Sequence, residues 1–221
     1  MLVGRGFRRV AVVVVLGLCP AACGDYTTGP PKYTQAQVPE SLAADGTTIV
    51  VGDKDAGTVV RLYEDMRCPV CREFETQGAG AELSGLVQSG YAQVHYTLAS
   101  FLDDRLDGDG SKRAANALRA ALEEDKFVEY HEVLFRAQPE ETVDGFTDEY
   151  LLTMASLVEG LRGPDFDGAV RTMKYEAFVS ESEAAFSSSE ATGTPTMLVS
   201  GTERGVFTSG PLAEWVTDPD A

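Results

Sequence analysis

Two cysteines separated by a proline and a valine, Cys68-Pro69-Val70-Cys71, are the residues of this chain best suited to chemistry. They follow an apolar run, Thr58-Val59-Val60-Arg61-Leu62-Tyr63, and open a stretch of helical character. A cysteine at a helix start sits among unpaired backbone N–H groups at the positive end of the helix dipole, which favours thiolate over thiol. Cys68 is therefore the expected nucleophile, exposed and easily ionised, and Cys71, one turn on, the buried or resolving thiol. Residues i and i+3 of a helical turn bring their Cβ atoms within about 5–6 Å, near the roughly 3.5–4.5 Å that a disulfide spans. A bridge across so few residues restricts the unfolded chain little, so the pair reads as reactive rather than structural.

Neighbouring charges set how acidic Cys68 becomes. A helix terminus contributes about 0.3–1 kcal/mol, up to about 2, against about 1.4 per pKa unit. Arg67 and Arg72 favour the thiolate, while Glu64, Asp65 and Glu73 oppose it, so a moderate shift is expected. Glu64 and Asp65 are read as solvated charges at a strand end. His95, on a predicted strand, and His131, in an apolar helical stripe, are read as packed, hydrogen-bonded structural residues. A closed zinc site on the two cysteines needs two more ligands, and the sequence holds no second CxxC and no HxxxH to supply them. No metal and no cofactor is expected.

The elements that must position the thiols are legible in outline. Thr48-Ile49-Val50-Val51 and Thr58 to Tyr63 read as strands, the second buried and central. A helix follows from Pro69, with a break or kink predicted near Gly78 and Gly80. Val94, Tyr96 and Leu98 alternate with polar neighbours as in a strand with one covered face. Asp103 to Gly110 reads as a polar loop. From Ser111 the apolar period becomes helical through Ala114, Ala117, Leu118 and Ala121, then Phe127, Tyr130 and Leu134. A further helix starts near Thr147, and one less regular helix is predicted from Phe166 to about Ser187. Strands return at Pro195 to Val199 and at Val206-Phe207, separated by a turn over Ser200 to Glu203, and a helix around Leu212 to Val216 closes the chain.

Composition narrows the compartment and the partners. The 43% apolar content is that of a globular domain. Residues 1–23 differ: Arg5, Arg8 and Arg9 precede the apolar Val10 to Leu18, and Ala21-Ala22 precede Cys23, the pattern of a secretory signal too short to span a bilayer. Cys23 after two small residues resembles a bacterial lipobox, in which the cysteine is lipidated, although Pro20 departs from the usual leucine. Removing this segment leaves 15 basic against 35 acidic residues, a formal charge of −20, which argues against a nucleic-acid partner. Cys19 leaves with the signal, so Cys68 and Cys71 are the remaining free thiols. Residues 24–46, with Gly29-Pro30-Pro31, read as a flexible tether to the membrane.

Cys68-Pro69-Val70-Cys71 early and Gly193-Thr194-Pro195-Thr196 late, around a helical block, resemble the DsbA-like branch of the thioredoxin superfamily. Tyr63-Glu64-Asp65-Met66-Arg67, Arg113-Ala114-Ala115-Asn116-Ala117 and Lys126 to Phe135 carry the same likeness, in wording similar to exported actinobacterial members. The resemblance implies an α/β, thioredoxin-like fold over residues 47–217 with a helical insertion at about 111–188. It also implies a cis peptide at Thr194-Pro195 facing the thiols, with substrate binding at Thr194 and Pro195. Strongly oxidising relatives carry a histidine in the dipeptide that is Pro-Val here. Many members place a buried acid six residues before the first cysteine, where this chain has Leu62.

The implied function is a thiol–disulfide oxidoreductase of the cell envelope, lipid-anchored to the outer face of the cytoplasmic membrane. It would act on cysteines of exported proteins and be regenerated by a membrane redox partner. The alternatives are an envelope reductase or isomerase for a narrow client, or a non-catalytic thioredoxin-fold binding lipoprotein.

Overall fold

The computed structural model of the protein describes residues 31–207 and 212–218. In β3 (Thr58–Asp65) Val60 and Leu62 are buried while Val59 and Arg61 are exposed, so alternation holds as far as Leu62 and both faces are covered from there on. This strand runs parallel to β4 (Ala92–Ala99) and antiparallel to β5 (Thr196–Val199), with Leu62 opposite Tyr96 on one side and Met197 on the other. Outer strands β1 (Glu40–Leu42), β2 (Ile49–Gly52) and β6 (Thr202–Arg204) complete a six-stranded mixed sheet in the order β1-β2-β4-β3-β5-β6.

The parallel step from β3 to β4 needs a crossover, which α1 (Pro69–Gln77) and α2 (Gly80–Gln88) provide. The expected break between them occurs. The chain folds back so tightly that a Cβ at Gly80 would lie 2.7 Å from Glu75 Cα and 2.9 Å from the Phe74 carbonyl oxygen. Because β5 begins at Thr196, opposite Tyr63, the preceding Gly193–Pro195 segment arrives where β3 ends and α1 starts.

Between β4 and β5 lie α3 (Phe101–Leu106), α4 (Gly110–Leu122), α5 (Phe127–Arg136), α6 (Asp148–Ala155), α7 (Pro164–Arg171) and α8 (Glu176–Ser187). A single hydrophobic cluster joins this helical lobe to the sheet through residues such as Leu62, Phe74, Leu118, Tyr130 and Met197. The opposite sheet face is covered by α8, where Phe186 meets Tyr63 and stacks on Phe101.

Several elements depart from their sequence-based expectation. Residues 103–110 were expected as a loop, yet Phe101–Leu106 is helical, with a buried carboxylate at its start: Leu102 N–H donates to Asp65 Oδ2 at 3.1 Å. The stretch expected as one irregular helix is two. Asn116 of α4 accepts from Tyr175 N–H at 2.9 Å and donates to the Ala169 carbonyl at 3.2 Å, separating α7 from α8, and Met173 takes a positive φ. The terminal hairpin turns on Ser200 and Gly201 alone, both with positive φ, which matches strand twist and puts β6 at Thr202–Arg204 rather than Val206–Phe207. Part of the expected tether is also ordered: a 3-10 helix (Gln35–Gln37) and β1 precede Thr48, and Glu40 accepts from Phe127 N–H and Val128 N–H at the start of α5. The predicted signal, Cys23 and residues 24–30 lie outside the described residues. A closing helix, α9 (Leu212–Thr217), is present as expected, with Trp215 under the Arg204 guanidinium.

A buried ionic network anchors the β3–α1 junction to the helical lobe. The Arg67 guanidinium, 2% exposed, donates to Asp103 Oδ1 at 2.8 Å, to the Asp107 carbonyl at 3.1 Å and to the Glu141 carbonyl at 3.0 Å. Asp103 accepts in addition from Ser111 N–H at 3.0 Å and Lys112 N–H at 2.9 Å. Removing one partner of a buried pair leaves an uncompensated charge, so Asp103→Ala is expected to cost about 3–5 kcal/mol, measured by urea unfolding. A loss below about 1 kcal/mol, the value of an exposed pair, would mean the network does not hold the junction.

Candidate active site

Cys68 is the N-cap of α1, with Pro69 at the first helical position, where the missing N–H would have had no helical partner. The Cys71 backbone N–H donates to Cys68 Sγ at 3.4 Å, and the Cys68 thiol donates to the Thr194 carbonyl oxygen at 3.3 Å. The Thr194-Pro195 peptide is cis. The two motifs separated by more than a hundred residues thus meet at one sulfur. Both cysteines are free thiols.

Exposure and acidity divide the pair. Cys71 is fully buried, and Cys68 is only 7% exposed, less open than a freely accessible nucleophile, while Val70 between them is 40% exposed. The Cys68 pKa is lowered to about 6, chiefly by a hydrogen bond from the Cys71 thiol. Smaller contributions come from the Thr194 hydroxyl, otherwise without a partner, and from the backbone N–H groups of Cys71 and Val70, all working against desolvation. The shift exceeds the moderate one expected from the helix terminus and formal charges. Arg67 does not supply it, since its guanidinium is committed to Asp103. For Cys71 burial dominates and pushes the thiol well above its usual range, with Cys68 and the nearby Glu64 adding to the effect.

Comparison with known proteins bears on what this arrangement is. Residues 44–215 match the Thioredoxin family. The chain belongs to it. Among relatives of the thioredoxin family, it is 30% identical over 93 residues to Disulfide bond formation protein D of Bacillus subtilis, a stretch covering 41% of this chain and 40% of that protein. The reduced DsbA of Mycobacterium tuberculosis is 26% identical, with a TM-score of 0.59 over 76% of this chain and 84% of that one. Oxidised BdbD from Bacillus subtilis is 20% identical and resembles it in fold, with a TM-score of 0.68 over 81% and 96% of the two chains. The expectation of a DsbA-like thioredoxin fold is borne out by these matches.

Beneath the thiols the structure departs from the sequence-based reading. Glu64 and Asp65, expected to be solvated, are both wholly buried, because β3 continues past Tyr63 into the covered centre of the sheet. Asp65 accepts from Arg67 N–H, Leu102 N–H and the Ser111 hydroxyl, the last at 2.6 Å. Glu64 Oε2 lies 3.0 Å from His131 Nε2, so His131 is packed and hydrogen-bonded as expected, but onto an acid beside the thiols rather than within its own lobe. His95, half-buried on β4, is 2.9 Å from Gln93 Oε1. Gln138, not singled out from the sequence, donates to the carbonyls of Met66 and Cys68 at 2.8 and 2.9 Å and so clamps the thiol loop. The signal for Glu64 was available: it follows Leu62 by two residues and shares its strand face. Glu75 likewise follows Cys71 by four residues on one helix face.

The lowered Cys68 pKa has a direct readout. Only the thiolate alkylates, so the rate of iodoacetamide labelling of the reduced protein should rise as pH increases through about 6 and level above it, with Cys71 unlabelled at neutral pH. A midpoint near 8.5, that of a free cysteine, or equal labelling of both thiols, would remove the asymmetry.

Proposed function

We propose that this protein is a thiol–disulfide oxidoreductase that oxidises cysteines of exported proteins, with Cys68 as nucleophile and Cys71 as resolving thiol. The observation that carries this reading is the split between an acidic Cys68 and a buried, weakly acidic Cys71 at one helix start. In the oxidised protein a substrate thiolate attacks Cys68 Sγ of the Cys68–Cys71 disulfide, and Cys71 leaves and takes a proton. A second substrate thiolate then attacks the substrate sulfur of the mixed disulfide, forming the substrate disulfide and releasing Cys68 as a thiolate. Two electrons pass from substrate to protein, and a membrane redox partner takes them up again. The names of the relatives support this reading.

Thr194 and Pro195 are the substrate platform. Proline offers no N–H and no ligand group beside the sulfurs. In the Cys68–Cys71 disulfide no S–H is left for the Thr194 carbonyl to accept, which frees that oxygen for a backbone N–H of an extended substrate. Export through residues 1–23 and lipid anchoring at Cys23 belong to the same reading and rest on the sequence pattern.

Acidity of Cys68 biases the direction of electron flow. At pH 7 a Cys68 pKa of about 6 in place of 9.0 favours the reduced state about tenfold, equivalent to about 30 mV toward oxidising potential. Because the folded pKa is lowered, this stabilisation of the reduced form is present at neutral pH and lost as the pH falls through about 6. A potential between about −270 and −120 mV is expected, measured against glutathione. Cys71→Ala should accumulate a mixed disulfide between Cys68 and an unfolded client that carries a disulfide, because Cys68 attacks that bond and Cys71 is missing to resolve the product, visible by non-reducing electrophoresis, and Cys68→Ala should form none. No mixed disulfide in Cys71→Ala, with client affinity unchanged in Cys68→Ala, would leave only a binding protein with this fold.

A further inference from the structure

Glu64 on β3, Glu75 on α1 and His131 on α5 come from three elements and bring one ligand atom each within 4.8 Å of one another. Glu64 is wholly buried, His131 buried and Glu75 half-buried. Glu64 Oε1 and Glu75 Oε1 are shielded from solvent with no hydrogen-bond donor. No ion pair to Lys or Arg reaches either carboxylate among the described residues. Carboxylates only accept hydrogen bonds when ionised, so two of them facing each other in a buried site need protons or a cation between them.

We infer that Glu64, Glu75 and His131 form a binding site for a divalent transition-metal cation such as zinc. The donor set is suitable: one imidazole nitrogen and two carboxylates match zinc's N/O preferences, with bonds of about 2.0–2.2 Å that need only a small closure of these side chains. Charge balance also fits, since two carboxylates neutralise a divalent cation while neutral imidazole adds a lone pair.

Access is provided by a cavity of about 270 Å³ lined by Glu75, His131, Tyr96, Phe127 and Glu132, with room for water at a fourth coordination position. Tyr96, Phe127 and Phe135 pack around the imidazole with ring centroids 4.8–5.3 Å away, fixing its orientation. The cysteines are not ligands in this arrangement, and the site is independent of the redox assignment. Its effect would be to tie the thiol helix α1 and strand β3 to α5 of the inserted lobe.

The test uses the disulfide form of the protein, in which Cys68 and Cys71 cannot hold metal as thiolates. Equilibrium dialysis against zinc chloride should give one zinc per chain, and saturating zinc should raise the thermal unfolding midpoint by several degrees, while magnesium, a hard cation that favours oxygen ligands, should do neither. Glu75→Gln and His131→Gln should each weaken zinc binding about 100-fold or more and abolish the thermal shift. The metal-free unfolding midpoints of both variants establish that they fold, and either one suffices if the other does not. Absence of zinc binding at 100-fold excess, or unchanged binding in a folded variant, overturns the site and leaves a proton shared by Glu64 and Glu75 in its place.

Discussion

The sulfur of Cys68 stands at the one point where a central strand has ended and a helix has not yet closed its first turn. That position puts the Cys71 N–H on the sulfur and leaves Pro69 to start the helix without wasting a donor. It also demands that the two residues between Asp65 and Cys68 be held firmly, because a shift of the loop would move the sulfur away from Thr194. Much of the surrounding polar structure serves that demand. Arg67 is drawn into the helical lobe by Asp103, Asp65 accepts from three donors, and Gln138 reaches over to two loop carbonyls.

Difference in environment, rather than in residue type, separates the two thiols. Cys68 receives hydrogen bonds that suit a negative sulfur, whereas Cys71 is enclosed by apolar atoms and faces the buried Glu64. Desolvation disfavours any charge there and holds the second sulfur as a thiol. In the proposed reaction an ionised outer sulfur would stabilise the reduced state, and the inner one would not compete with it as nucleophile.

The carboxylates below the thiols carry a larger energetic consequence than their surface counterparts. An exposed pair such as Lys54 and Asp55 is screened by water and worth little. Glu64 and Glu75, by contrast, face each other beneath the surface, where ionising both is costly without a compensating positive charge. Of the two, Glu64 adds to the burial that keeps Cys71 protonated.

Local pattern in the amino-acid sequence determined a good deal: the thiol pair and its helix start, the strand before it, the break at Gly78 and Gly80, and, through resemblance, the pairing with Thr194-Pro195 and the DsbA-like fold. The thiols, the strand and the break are properties of nearest neighbours, strand alternation and helical period, which a linear reading contains, whereas the pairing and the fold rest on the resemblance. Tertiary structure alone decided the rest. Glu64 and Asp65 look like strand-end charges until the sheet covers them, Asn116 looks like a polar residue in a helix until it separates α7 from α8, and Arg67 looks like a partner for the thiolate until Asp103 claims it. Burial and charge pairing depend on residues distant in sequence, and no local period records them.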